Sequence, residues 1–227
     1  MTGSTTAGSF VASLGRHRVV AVVRHHDADA ARETARACIA GGLGLIEITL
    51  TTPDAVALVS DLAASAPDGV LVGAGTVLDQ DQVHAVVDAG ARFLVSPATD
   101  PDVVATAVAA GVPFVPGAAT ASEIALGRRL GAPVVKVFPA GGLGLSFLKS
   151  VVAVMPQVPL LPSGGISVAQ VPQWLAAGAL AVAIGSELDA AHASGGADAV
   201  AALAATAAAT AGQHRPTHRP HTLGVPS

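Results

Sequence analysis

The chain has 227 residues, of which 51% are hydrophobic and only 12% charged, and its formal net charge is −4. The charged fraction is about half the usual ~25%, which excludes disorder for most of the chain. Its apolar stretches are short and cut by Gly, Pro or a charge, so none approaches the roughly 18 residues of a membrane-spanning helix.

The acidic balance and the lack of a basic block in the first two hundred residues argue against a nucleic-acid partner. The single cysteine, Cys38, has no internal disulfide partner, and the opening MTGSTTAGSF lacks the basic and apolar regions of a secretory signal. The expectation is a cytoplasmic protein.

In chain order, residues around Ala7 to Leu14 suggest a short helix closing the floor of whatever follows. Eight apolar runs then recur: Arg18 to Arg24, Leu43 to Leu50, Val70 to Thr76, Phe93 to Ala98, Pro113 to Ala118, Val134 to Ala140, Pro159 to Gly165 and Ala181 to Glu187. Their starts lie 20 to 27 residues apart, the span of a strand plus a crossover helix.

Helix-start residues sit between the runs: Asp27, Thr52-Pro53, Asp79, Asp100-Pro101, Thr120 with Glu123 three residues on, and Ser167. Gly41, Gly90, Gly111 and Gly178 are placed to stop helices. Eight strand-helix units predict an α/β fold, a single-domain (β/α)8 TIM barrel over 18–212, with a doubly wound open sheet as the alternative. Residues 1–17 precede this unit, and 213–227, rich in His and Pro without apolar periodicity, read as a loose tail.

In such barrels chemistry sits at the C-terminal ends of strands. Lys136, one of two lysines, lies inside VVKVF, and strand alternation turns it inward while Val135 and Val137 face the helices. An unpaired buried ammonium is costly. Burial favours the uncharged amine, the form that adds to a carbonyl carbon. Position alone also allows a structural ion pair, or a strand end whose amine reaches solvent.

Glu47 in LIEITL is turned inward by the same alternation. It is either the structural partner of Lys136 or a proton-transfer group with a pKa raised by burial. An amine and a carboxyl in one interior point to imine chemistry with an acid–base helper.

PSGGIS and AIGSE put glycines where the seventh and eighth runs end. There backbone N–H groups and a following helix N-terminus suit a phosphate, although Gly-Gly and Gly-Ser are also ordinary turns. At the same mouth, Arg24 and Thr76 can hold a carboxylate, or be a surface arginine and a strand-end threonine. Cys38 and Trp174 read as packing residues, His25 and His26 as loop residues. His214, His218 and His221 lack the acidic or Cys companions of a metal site, and no metal or cofactor is expected.

Taken together, GGLGLIEITLTTP, VGAGTVLD, FLVSPATD, PFVPGAATASE, VVKVFPA, PSGGIS and AIGSE occur in an order and spacing that resemble the class I 2-keto-3-deoxy-6-phosphogluconate / 4-hydroxy-2-oxoglutarate aldolases, from about Val19 to Glu187. The resemblance implies an imine-forming Lys136, a proton-shuttling Glu47, and Thr76 on the pyruvyl carboxylate. It also implies Pro97 and Phe138 lining the pocket, and Ser163, Gly164, Gly165, Gly185 and Ser186 at the phosphate end. Substrates would be a keto sugar acid, pyruvate and an aldehyde, in a metal-free homotrimer.

The sequence departs from that pattern at Thr51, in TLTTP, where the family commonly has an arginine. This Thr51 is expected on the same strand face as Glu47 and Thr49. Arg24 resembles the arginine that ends strand one in the related phosphogalactonate aldolases, which keeps that substrate as an alternative and makes Arg24 the expected replacement carboxylate anchor. Two further alternatives stand beside the aldolase: a phosphate-binding epimerase or synthase using Lys136 only as a charge, and a non-catalytic phosphosugar-binding barrel.

Overall fold

Short runs of Val, Ile and Leu, each followed by a capping residue, set the chain into alternating strands and helices. The computed structural model describes residues 5–213. A first helix, α1 (Ala7–His17), leads into β1 (Val19–Val23), α2 (Ala28–Ala40), β2 (Leu45–Thr49), α3 (Ala55–Ser65), β3 (Leu71–Gly75) and α4 (Gln80–Asp88). Then follow β4 (Leu94–Val95), α5 (Pro101–Ala109), β5 (Phe114–Val115), β6 (Gly117–Ala118), α6 (Ala121–Arg129), β7 (Val135–Val137) and α7 (Ala140–Val154). The last elements are β8 (Leu160–Pro162), α8 (Val171–Ala176), β9 (Val182–Ile184) and α9 (Ser186–Gly212), which is interrupted at Gly195 and Gly196.

The caps act as the sequence suggests. Asp27, Asp79 and Asp100 each accept a backbone N–H of their helix, and Thr120 with Glu123 forms a reciprocal capping box. The exception is the helix expected from Thr52-Pro53. It begins at Ala55 behind Asp54, which takes a left-handed conformation and makes no side-chain cap. Ser167 opens a 3₁₀ turn, not a regular helix start.

All strand pairs are parallel. They form a six-stranded sheet ordered β5-β4-β3-β2-β1-β9 and a three-stranded sheet β6-β7-β8, in place of one continuous eight-stranded ladder. The fifth apolar run is therefore two strands. Pro116 lacks the N–H a ladder needs, and at that residue the chain changes neighbours. Ser96 N still donates to Val115 O (3.0 Å), whereas Lys136 N donates to Pro116 O (2.8 Å). At the other side the sheets meet at one bridge, Ser163 with Ala183.

Alternation along the strands splits the core in two. Ile46, Ile48, Val135, Val137 and Ile184 pack outward under the helices. Val20, Val22, Leu45, Val115 and Leu161 fill the space between the sheets. α1 closes the lower end of that space: Phe10 and Leu14 are fully buried, and the Phe10 ring stacks on Phe93 at 5.1 Å. Each such side chain contributes roughly 1.5–3 kcal/mol of burial. The upper half of the interior is polar, and the functional groups gather there. No described helix is long and apolar enough to cross a membrane.

Candidate active site

Lys136 and Glu47 arrive from different sheets, β7 and β2, and face each other across the interior. Lys136 Nζ lies 3.9 Å from Glu47 Oε1, with the side chains 7% and 1% exposed. That distance is longer than a hydrogen bond, so the two groups attract without sharing a proton. Neither carboxylate oxygen of Glu47 has a hydrogen-bond partner among the described residues. Burial raises the Glu47 pKa above the usual carboxylate range, opposed by the charges of Lys136 and Arg24. A desolvated carboxylate left without partners costs stability, and such costs concentrate at functional sites.

Small residues make room for this pair. In the strand register Glu47 lies beside Gly73, and Lys136 beside Gly117. A methyl group on Gly75 would come within 2.7 Å of Glu47 Cγ and Cδ. Pro97, half-buried, packs its backbone against Gly117. The amine of Lys136 stands 5.1 Å from the centre of the Phe138 ring. Just beyond Gly75, Thr76 holds φ at 59°, uncommon for a β-branched residue and a local strain at the site's rim.

The glycine loops adjoin the pair. Gly164 and Gly165 have φ of 87° and 73°. A side chain at Gly164 would meet the Phe138 ring at 2.8 Å. Ala140 N and Gly141 N donate to Ser163 O and Gly164 O, both at 2.8 Å, pinning the start of α7 to this loop. Through the Ser163–Ala183 bridge the same loop stands beside Gly185 and Ser186, where α9 begins.

The expectation for Thr51 needs correcting. β2 ends at Thr49, because Thr52 N turns back onto Thr49 O (3.0 Å), so Thr51 lies in a turn and is exposed. It reaches the interior only through a 3.0 Å contact between its hydroxyl and that of Thr49. Glu187, expected at the end of the last strand, belongs to the first turn of α9 and accepts a hydrogen bond from Val168 N at 2.6 Å. Arg24 is exposed at the end of β1, yet its charge reaches both Glu47 and Asp189.

His25 lies on the connection after β1, as expected of a loop residue, but its side chain is held by residues distant in sequence. Its ring nitrogen lies 2.9 Å from Thr34 Oγ1 and 3.6 Å from Asp189 Oδ1. Asp189 is 164 residues further along the chain, beyond any local spacing signal.

The chain is similar in sequence and fold to known proteins. The 2-dehydro-3-deoxy-phosphogluconate aldolase of Treponema pallidum is 39% identical over 72% of this chain and 78% of its own length. The 2-dehydro-3-deoxy-6-phosphogalactonate aldolase of Escherichia coli K12 is 32% identical over 75% and 83%. Among solved structures, KDPG aldolase from Legionella pneumophila, with pyruvate captured as a covalent carbinolamine, superposes with a TM-score of 0.80. It is 31% identical and covers 89% of this chain and 98% of its own. The profile of the KDPG and KHG aldolases matches residues 11–203. With the family profile covering most of the chain and relatives up to 39% identical, the chain belongs to the KDPG and KHG aldolase family.

Proposed function

We propose that this chain is a class I aldolase that cleaves 2-keto-3-deoxy-6-phosphogluconate reversibly to pyruvate and glyceraldehyde 3-phosphate. The observation that carries the reading is the buried Lys136–Glu47 pair at 3.9 Å. Lys136 Nζ attacks the C2 ketone, and loss of water leaves an iminium. That cation draws the electron pair of the C3–C4 bond, while Glu47 accepts the C4 hydroxyl proton and the aldehyde departs. The remaining enamine takes a proton at C3, and water hydrolyses the resulting imine to release pyruvate and the free amine. A carboxyl with a raised pKa suits Glu47 to pass the proton both ways.

Arg24 and Thr76 anchor the substrate carboxylate, and Pro97 and Phe138 line the pyruvyl pocket. Ser163, Gly164, Gly165, Gly185 and Ser186 receive the phosphate. Thr51, in the turn beside Thr49, borders the carboxylate end without a charge of its own. The working unit in this reading is a closed (β/α)8 barrel over 18–212. The chain's continuity across Pro116 joins β5 to β6, and the Ser163–Ala183 bridge joins β8 to β9. A homotrimer is the assembly the resemblance implies, and the exposed Leu78 and Val56, at 52% and 39%, offer apolar contact surface for it; a cytoplasmic location fits the lone Cys38.

A second reading has its own support. Arg24 at the end of β1, with no cation at position 51, favours the phosphogalactonate acid, which differs at C4. Borohydride reduction in the presence of pyruvate, followed by peptide mass spectrometry, tests the chemistry. An adduct on Lys136 is expected, and none, or one elsewhere, overturns it. Pyruvate release from each C4 epimer then separates the two substrates.

A further inference from the structure

We propose that Thr52 and His25 are positioning residues for Arg24, fixing the backbone from which its guanidinium reaches the mouth of the site to receive the substrate carboxylate. The proposal rests on the aldolase reading and on Arg24 as anchor, and it adds residues that neither assigns.

Arg24 stands on the short connection between β1 and α2, exposed, and its side chain makes no hydrogen bond or ion pair among the described residues. A long side chain on a loose connection would have to be ordered by each arriving substrate, which weakens binding. The backbone on both sides of Arg24 is instead tied down. Thr49 Oγ1 donates to Val23 O at 3.3 Å, and His25 N donates to Thr52 Oγ1 at 3.4 Å. The two hydroxyls lie 3.3 Å apart.

A threonine hydroxyl has one proton, which fixes the direction of the chain. With the Thr49 proton spent on Val23 O, Thr49 Oγ1 accepts from both the Thr51 and Thr52 hydroxyls, at 3.0 and 3.3 Å, leaving Thr52 Oγ1 to accept from His25 N. The chain His25 N–H, Thr52, Thr49, Val23 O therefore closes around Arg24. Thr49 and Thr52 are buried, at 0% and 3% exposed, so water competes weakly for these bonds.

The His25 side chain adds a second hold. Its ring meets Thr34 on α2 and Asp189 on α9, and its edge packs against the His192 ring at a centroid distance of 5.1 Å. His192 is bonded in turn to Glu33 at 2.9 Å. The residue after Arg24 is thus fixed to two helices, and the residue before it lies in a buried strand. The Arg24 side chain is the free part, directed where both Glu47 and Asp189 feel its charge.

A double-mutant cycle tests this, with pyruvate KM and kcat measured in the condensation direction and the pyruvate dependence of borohydride trapping as a binding readout. Arg24→Ala should raise the pyruvate KM more than tenfold. Thr52→Val should raise it about fivefold with kcat within twofold, and Thr52→Ser should restore it. In the Arg24→Ala background, Thr52→Val should add nothing, because the side chain it positions is gone. Should Thr52→Val fail to fold, His25→Asn is taken through the same cycle with the same expectation. Equal effects in both backgrounds, a fall in kcat at constant KM, or an Arg24→Ala enzyme with unchanged KM each overturn the proposal. Failure of the aldolase reading is distinct: the parent enzyme then forms no adduct at Lys136.

Discussion

Replacing Gly75 by alanine adds one methyl group, and the structure says where it must go. Gly75 keeps an ordinary backbone conformation, absent from the residues with positive φ, so alanine adopts it without strain. Its methyl would lie within 2.7 Å of Glu47 Cγ and Cδ, and nearer still to Oε1. Carbon atoms settle at about 3.5–4.0 Å, so the carboxylate must retreat by about 1 Å or more. Glu47 is only 1% exposed, so the displaced carboxylate needs another rotamer inside the protein, at a cost of roughly 1–3 kcal/mol of stability. That is partly offset by about 0.4–1 kcal/mol from the stiffer unfolded chain.

The larger effect is on chemistry. Displacement on that scale at a proton-transfer group lowers turnover about 10²-fold, here by pulling Glu47 off its 3.9 Å station against Lys136. A continuous assay of pyruvate release gives kcat, and urea unfolding gives stability. Gly73→Ala is the contrast, because its methyl meets Phe93 first, at 2.5 Å from the carbonyl oxygen and 2.7 Å from the ring. It should lose stability with a much smaller loss of kcat. A Gly75→Ala enzyme whose kcat stays within threefold of the parent would show that the site does not depend on the placement of the Glu47 carboxylate.

The pH dependence of Glu47 has a defined sign. Because its pKa is raised by burial, the acid limb of kcat/KM should lie above the ordinary glutamate value of about 4.3, and Glu47→Gln should abolish that limb along with most activity. The folded state holds this proton more tightly than the unfolded chain, so the stabilisation is present below the unfolded pKa and lost as pH rises through the folded one. Glu47→Gln should therefore gain stability relative to the parent between acid and neutral pH in urea titrations; a constant difference contradicts the raised pKa. Phe10→Ala removes the stacked floor residue and should cost about 3–4 kcal/mol, or about 10 °C in Tm, with kcat preserved at moderate temperature. A loss below 1 kcal/mol in calorimetry would refute that role for α1. Cys38, buried and with its thiol pushed up to about 12, should resist iodoacetamide at pH 8 until the chain unfolds; labelling of the native protein at the free-thiol rate would contradict its burial.

Local chemistry was largely legible. Period-two alternation put Glu47 and Lys136 inward and their Ile and Val neighbours outward, and the two core clusters bear this out. The Asp27, Asp79 and Asp100 caps and the Thr120–Glu123 box were readable because they act over two or three residues. The exchange of ladder partners at Pro116 was hidden, since the run Pro113 to Ala118 is apolar throughout and only its hydrogen-bond partners reveal the split. The turn at Thr51 was misread as strand because a Thr-rich segment suits either. The hold on His25 went unrecognised because its partners Thr34, Thr52 and Asp189 lie on three other elements.

By itself the sequence determined which side chains must be buried, and it did so through scarcity. In a chain only 12% charged, an acid and an amine inside apolar strands stand out, because burying each is too costly to be incidental. The tertiary structure alone decided that these two, eighty-nine residues apart, face each other at 3.9 Å, and that the backbone on both sides of Arg24 is tied by the Thr49 and Thr52 hydroxyls. Periodicity assigns a side chain to a face. Which faces meet, and at what distance, depends on how the sheets close, and that is a property of the whole chain.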